Sequence, residues 1–90
     1  MAGATHVKAK ARYRLIVRKG SHTPALANPD RVDHVEVVDV DDGEAVFYWD
    51  LTAADARRVV RALREDLDRL DAREFFEAWA SFEGGEDLHR

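Results

Sequence analysis

From Ala11 the chain alternates, with Ala11, Tyr13, Leu15 and Val17 on one side and Arg12, Arg14 and Arg18 on the other, interrupted only by Ile16. A period of two marks a strand with one buried face, so a first strand is expected here. Residues 1–10 show no apolar periodicity and read as a flexible tail. Segment 19–31 carries Gly20, Pro24 and an Asn28-Pro29 pair, which predicts a long connection. Residues 32–40 are β-branched and alternating, but Val35 and Val37 share one face while Val38 and Val40 share the other. That phase slip predicts a bulge near Val37 or Val38, or a strand covered on both sides. Asp41, Asp42 and Gly43 then supply a tight turn. A third strand follows over 44–51, with Phe47, Trp49 and Leu51 on one face and Val46 and Tyr48 on the other. It calls for apolar cover on both sides, whereas one helix layer covers a single side.

After Leu51 the spacing changes from two to 3.6. Ala56, Val59, Val60, Leu63, Leu67 and Leu70 form one helical stripe, and Thr52 is placed to cap it by accepting the Asp55 amide. Arg61 to Glu65, Arg64 to Asp68 and Glu65 to Arg69 offer opposite charges four residues apart on its solvent side. If that helix ran straight, Phe75, Phe76, Trp79 and Phe82 would project opposite the leucine stripe. Either the chain breaks near Asp71, where Asp71-Ala72-Arg73-Glu74 offers a second capping box, or the aromatic face meets another subunit. In both cases the aromatics need an apolar surface, for which the uncovered face of the third strand is the candidate. Gly84 and Gly85 end the helical segment, and 84–90 reads as a loose tail.

The fold expected is therefore α+β in two layers. A three-stranded antiparallel meander packs on a long C-terminal amphipathic helix followed by a short aromatic helical segment, all in one domain over 11–83.

At 90 residues the chain has room for one modest core and little for an elaborate buried site. It contains no cysteine, which excludes disulfides, thiolate chemistry and iron–sulfur clusters and makes the reducing cytoplasm the expected address. The longest apolar run, Ala45 to Trp49, is five residues, far short of the ~18–20 that cross a bilayer, so no membrane partner is expected. Arginine outnumbers lysine eleven to three, a bias expected of a bacterium with a GC-rich genome.

The net charge of −4 hides a split: residues 1–31 hold seven Lys or Arg against one acid, and 32–90 hold seven Arg against seventeen acids. Lys8, Lys10, Arg12, Arg14, Arg18 and Lys19 could therefore form a basic arm and strand edge for nucleic acid. Alternatively, Asp33, Glu36 and Asp39 sit where a neighbouring strand would neutralise those cations internally. Of the basic stretch's neighbours only Tyr13 is aromatic, and it points inward, so stacking on bases lacks material.

Catalytic chemistry finds little support. His6, His22, His34 and His89 fall at no metal-ligand spacing. The acids from Asp39 to Glu44 approach a calcium loop, but the glycine falls one position early and strands flank the segment. Ser21 and Ser81 stand in no glycine-flanked elbow, and no glycine-rich phosphate loop occurs. No enzyme, cofactor or metal is expected.

The passage from Phe47-Tyr48-Trp49-Asp50-Leu51-Thr52 through Ala53-Ala54-Asp55-Ala56 to Arg61-Ala62-Leu63-Arg64 resembles the hairpin-to-helix junction in the dimerisation domain of actinobacterial H-NS-like DNA-bridging proteins. The resemblance implies that such hairpin-plus-helix units dimerise. That family's Arg-Gly-Arg minor-groove hook is missing from this chain. The function expected is a non-enzymatic interaction module, a homodimer joined through Phe75, Phe76, Trp79 and Phe82 with Val46 and Tyr48. Nucleic-acid binding through the basic N-terminal third is the alternative.

Overall fold

The computed structural model describes residues 7–20 and 31–82; most of the expected connection, the outermost tail residues and three of the histidines lie outside them. The elements are α1 (Ala9–Arg12), β1 (Tyr13–Arg18), β2 (Val32–Asp39), β3 (Ala45–Thr52), α2 (Ala53–Arg69) and α3 (Ala72–Trp79). The three strands form one antiparallel sheet in the order β1-β2-β3, so the protein is α+β. Tyr13 pairs with Asp39 and Arg18 with His34 at the ends of one ladder, and Val32 pairs with Thr52 at the open end of the other. The β2–β3 register shifts between Val37 and Val38, where the hydrophobic phase slips. Gly43 turns the hairpin at φ 75°, in the left-handed region that glycine enters without a Cβ penalty.

Val35, Val37, Trp49 and Leu51 on one sheet face share a single core with Ala56, Val59, Leu63 and Leu67 of α2 and with Phe75 and Trp79 of α3. The Thr52 hydroxyl accepts the Asp55 amide at 3.3 Å and starts α2. The helix stops at Leu70, whose extended backbone (φ −96°, ψ 159°) redirects the chain. Asp71 then opens α3 with a full capping box: its carboxylate accepts the Glu74 amide at 2.8 Å, and the Glu74 side chain accepts the Asp71 amide at 3.1 Å.

Two expectations change. Residues 7–10, read as part of a tail, are ordered against the α2–α3 junction: the Ala9 amide donates to Leu70, the Val7 carbonyl accepts from Ala72, and Ala9 is fully buried. This helical turn delays the first strand from Ala11 to Tyr13. The ion pairs along α2 also differ, being Asp55–Arg58 and Asp66–Arg69 at a spacing of three, while Asp68 pairs with Lys10. A cation brought in by tertiary folding takes the acid that Arg64 would have used.

Candidate interaction surfaces

The aromatic set does not assemble into one surface. Phe75 is 0% and Trp79 6% exposed, so both are core residues of the protomer and cannot present an interface. Phe75 lies 5.4 Å from the Tyr13 ring, and the Trp79 indole donates to Asp66 Oδ2 at 2.9 Å. Phe82 is half-buried, edge-on to Trp49 at 5.3 Å, and its carbonyl accepts the Trp49 indole N–H at 3.1 Å. Phe76 is 42% exposed and rests on Phe47. The aromatic segment thus reinforces the face of β3 that α2 already covers, not the opposite face as expected. The cause is the extended Leu70, which turns the apolar side of α3 back toward the core. Val46, at the register shift, is half-buried against that core. Only Tyr48, 51% exposed, stands on the uncovered side.

That uncovered side is laid out by the registers. One cross-strand row is Ile16, Glu36 and Tyr48, and the next is Arg18, His34 and Asp50. His34 Nδ1 lies 2.5 Å from Asp50 Oδ1 and 3.0 Å from the Tyr48 hydroxyl, and Arg18 reaches Glu36 at 3.7 Å. An ionised carboxylate only accepts, so Nδ1 carries the proton and Nε2 points away from the pair. The hydrogen bond from His34, assisted by Tyr48, holds the Asp50 carboxyl below the ordinary carboxylate range. Desolvation and then Asp50 raise the Tyr48 phenol. The His34–Asp50 pair stands on the exposed sheet face, and the Thr52 hydroxyl, two residues from Asp50, is engaged as the α2 cap. Among the described residues no group of three His, Cys, Asp or Glu is placed to hold a metal.

Half of the basic stretch is paired from within. Lys10 pairs with Asp68 at 3.2 Å, Arg12 with Asp39 at 3.1 Å, and Arg18 with Glu36. Backbone donation from Asp41 and the Arg12 guanidinium hold the Asp39 carboxyl below its usual range, despite desolvation. Lys8, Arg14 and Lys19 remain exposed and belong to different parts of the molecule.

A second concentration of cations escaped the sequence reading. Between α2 and the end of β1 runs a groove of about 800 Å³ with Val17 and Val60 in its lining and Lys19, Arg57, Arg61 and Arg64 around it. Arg31 and Asp33 close it as a buried pair, Nε to Oδ1 at 2.9 Å and Nη2 to Oδ2 at 3.0 Å. The signal was present in the spacing: residues 57, 61 and 64 recur at helical intervals on one side of α2.

The sheet has two edges. β1 carries Arg14 and Arg18, whereas β3, reading Ala-Val-Phe-Tyr-Trp-Asp-Leu-Thr, carries one charge. Among the described residues the outward backbone groups of both edges lack backbone partners beyond β2. No helix of the described residues is long and apolar enough to cross a membrane. Comparison with family models, with curated proteins and with solved structures finds no match to this chain.

Proposed function

We propose that this protein is a non-enzymatic cytoplasmic interaction module that self-associates through β3, joining two three-stranded sheets into one. The observation carrying this reading is the edge itself. Beyond the bulge, residues 47–52 form a regular strand of high β propensity whose one charge, Asp50, is held by His34. Exposed edges of that kind are normally blunted by lysine, proline or distortion, because their free N–H and C=O groups template pairing with another chain.

Self-complementarity favours a second copy as the occupant. An antiparallel pairing about Tyr48 sets Phe47 opposite Trp49 of the partner subunit and Val46 opposite Asp50 of the partner subunit, with no like charges facing. The corresponding pairing of β1 about Ile16 would set Arg14 against Arg18 of the partner subunit, an unfavourable juxtaposition. Half a dozen ladder bonds at a net ~0.5–1.5 kcal/mol each supply about 3–9 kcal/mol, and an association cost of about 4 kcal/mol or more leaves at most about 5 kcal/mol, a weak dimer with a dissociation constant no tighter than roughly 0.2 mM.

Sedimentation equilibrium tests it. Wild type should dimerise at sub-millimolar to millimolar concentration, and Tyr48→Lys, on the exposed face near the pairing axis, should be monomeric with an unchanged circular dichroism spectrum. Trp79→Ala does not serve, because it opens the core. A monomeric wild type at high concentration, or a dimer indifferent to Tyr48→Lys, would refute the proposal.

A further inference from the structure

The groove beside β1 points to a second, different interaction. Arg57, Arg61 and Arg64 line it from α2 and Lys19 from the end of β1. Among the described residues these four side chains make no ion pair. Among the described residues lining the groove the acids are Glu65 and Asp33, and Asp33 is already held by Arg31 and by the Gly20 amide. A row of like charges at helical spacing is mutually repulsive in the absence of an anion. The chain as a whole carries −4, so this is a local cationic strip on an acidic protein.

The strip adjoins the outer edge of β1, which has no backbone partner beyond β2 among the described residues and where Val17 is 39% exposed. We infer that the groove receives an extended acidic segment of a partner polypeptide, added to β1 as a fourth strand with its carboxylates on Arg57, Arg61 and Arg64. Arg57 and Arg61 are separated along the helix by about 6 Å, close to the repeat of about 6.7 Å between side chains on one face of a strand, and Arg64 lies about 4.5 Å further on. Residues of an added strand that point to the other sheet face meet Arg14 and Arg18, so the incoming segment finds cations on both sides. β1 already has this relation to β2, whose Asp39 and Glu36 hold Arg12 and Arg18. An acidic strand on the second edge would repeat the arrangement.

Strand addition is distinguished from simple anion attraction by the backbone. Fluorescence anisotropy with a short labelled peptide alternating glutamate and valine, titrated with the full chain, should show saturable binding that weakens with salt. Arg57→Glu/Arg61→Glu, both exposed, should weaken it by at least about tenfold while leaving the circular dichroism unchanged. The same peptide N-methylated at alternate amides, in either phase, should lose binding although its charge is intact. Equal binding of the N-methylated peptides, or indifference to the double reversal, would overturn the inference. Tighter binding of a single-stranded oligonucleotide than of the peptide would also overturn it, assigning the strip to phosphates. Tyr48→Lys lies on the opposite sheet edge and should bind the peptide as wild type does, so failure here leaves self-association through β3 standing, and the reverse.

Discussion

Replacing Asp33 tests how the open end of the sheet is locked to the helix layer. The Asp33 carboxylate receives Arg31 through two parallel bonds of 2.9 and 3.0 Å and the Gly20 amide at 3.2 Å, and the two side chains are 5% and 8% exposed. Arg31 also accepts the Ala53 amide on its carbonyl at 2.9 Å, which ties the start of β2 to the first turn of α2. Removing one partner of a buried, doubly hydrogen-bonded ion pair costs about 3–5 kcal/mol. A chain of this size has a total stability of about 5–13 kcal/mol. Asp33→Leu should therefore remove roughly a quarter of it or more, and Asp33→Asn, which keeps one acceptor, less. Arg31→Met/Asp33→Leu should cost less than the sum of its single variants, because the two parallel bonds between these side chains are then lost once rather than twice. Urea unfolding followed by the fluorescence of Trp49 and Trp79, both in the core, reads all four members of the cycle. If Asp33→Leu costs less than about 1 kcal/mol, or the double variant costs the sum of the singles, the pair is not coupled in the way this geometry requires.

The same carboxylate sets an acid limit. Burial pushes Asp33 upward, but the Arg31 bonds, the Gly20 amide and the charges of Arg31 and Lys19 together bring it below its ordinary 3.8. The unfolded chain therefore binds the proton first, and the stabilisation is complete above about pH 5 and lost as pH falls through the native value. The difference in stability between wild type and Asp33→Asn should shrink on acidification below pH ~4. A difference that stays constant from neutral pH to acid would contradict the assignment.

Two further substitutions separate causes that look alike in the sequence. A Cβ on Gly20 would lie 1.8 Å from the Val32 carbonyl oxygen, so Gly20→Ala should cost about 2–3 kcal/mol through overpacking. Gly43 has open space around it but φ 75°, so Gly43→Ala should cost only ~1–2 kcal/mol through backbone strain and Gly43→Asn less; urea midpoints decide. Adjacent phenylalanines should diverge likewise: Phe75→Ala, fully buried, about 3–5 kcal/mol, against roughly 1 kcal/mol for the half-exposed Phe76→Ala. Equal costs would mean that α3 does not face the core as described.

Local features of the fold were legible because each is decided by a few neighbouring residues. The Thr52 cap, the capping box at Asp71, the turn at Gly43 and the register shift at Val37 all follow from chemistry contained within one turn or one strand pair. The direction of α3 was not. Helical periodicity assigns faces relative to a helix axis, and the projection placing the aromatics opposite the leucines holds only while that axis continues. One extended residue, Leu70, ends it. Beyond that point the phase of Phe75 and Trp79 relative to Leu63 and Leu67 carries no information, and burial is set by where the new helix lands. Ala9 illustrates the same limit: its complete burial comes from contact with a junction about sixty residues away, which no local pattern encodes.

The charges follow from a competition that pairing rules along one element do not see. The N-terminal third brings cations to acids that lie elsewhere: Lys10 to Asp68, Arg12 to Asp39, Arg18 to Glu36. Of the acids expected to neutralise the basic stretch, Asp39 and Glu36 take Arg12 and Arg18, whereas Asp33 is held by Arg31. Asp68, engaged by Lys10, is withdrawn from α2. Arg64 loses Asp68 in this way, Arg57 has no acid three or four residues away along α2, and Arg61 forms no ion pair among the described residues although Glu65 lies four residues on. The cationic surface thus lies on the helix of the acidic two-thirds of the chain, while half of the nominally basic stretch is compensated. In a protein with net charge −4, the location of uncompensated charge is decided by tertiary pairing, and composition along the chain points to the wrong element.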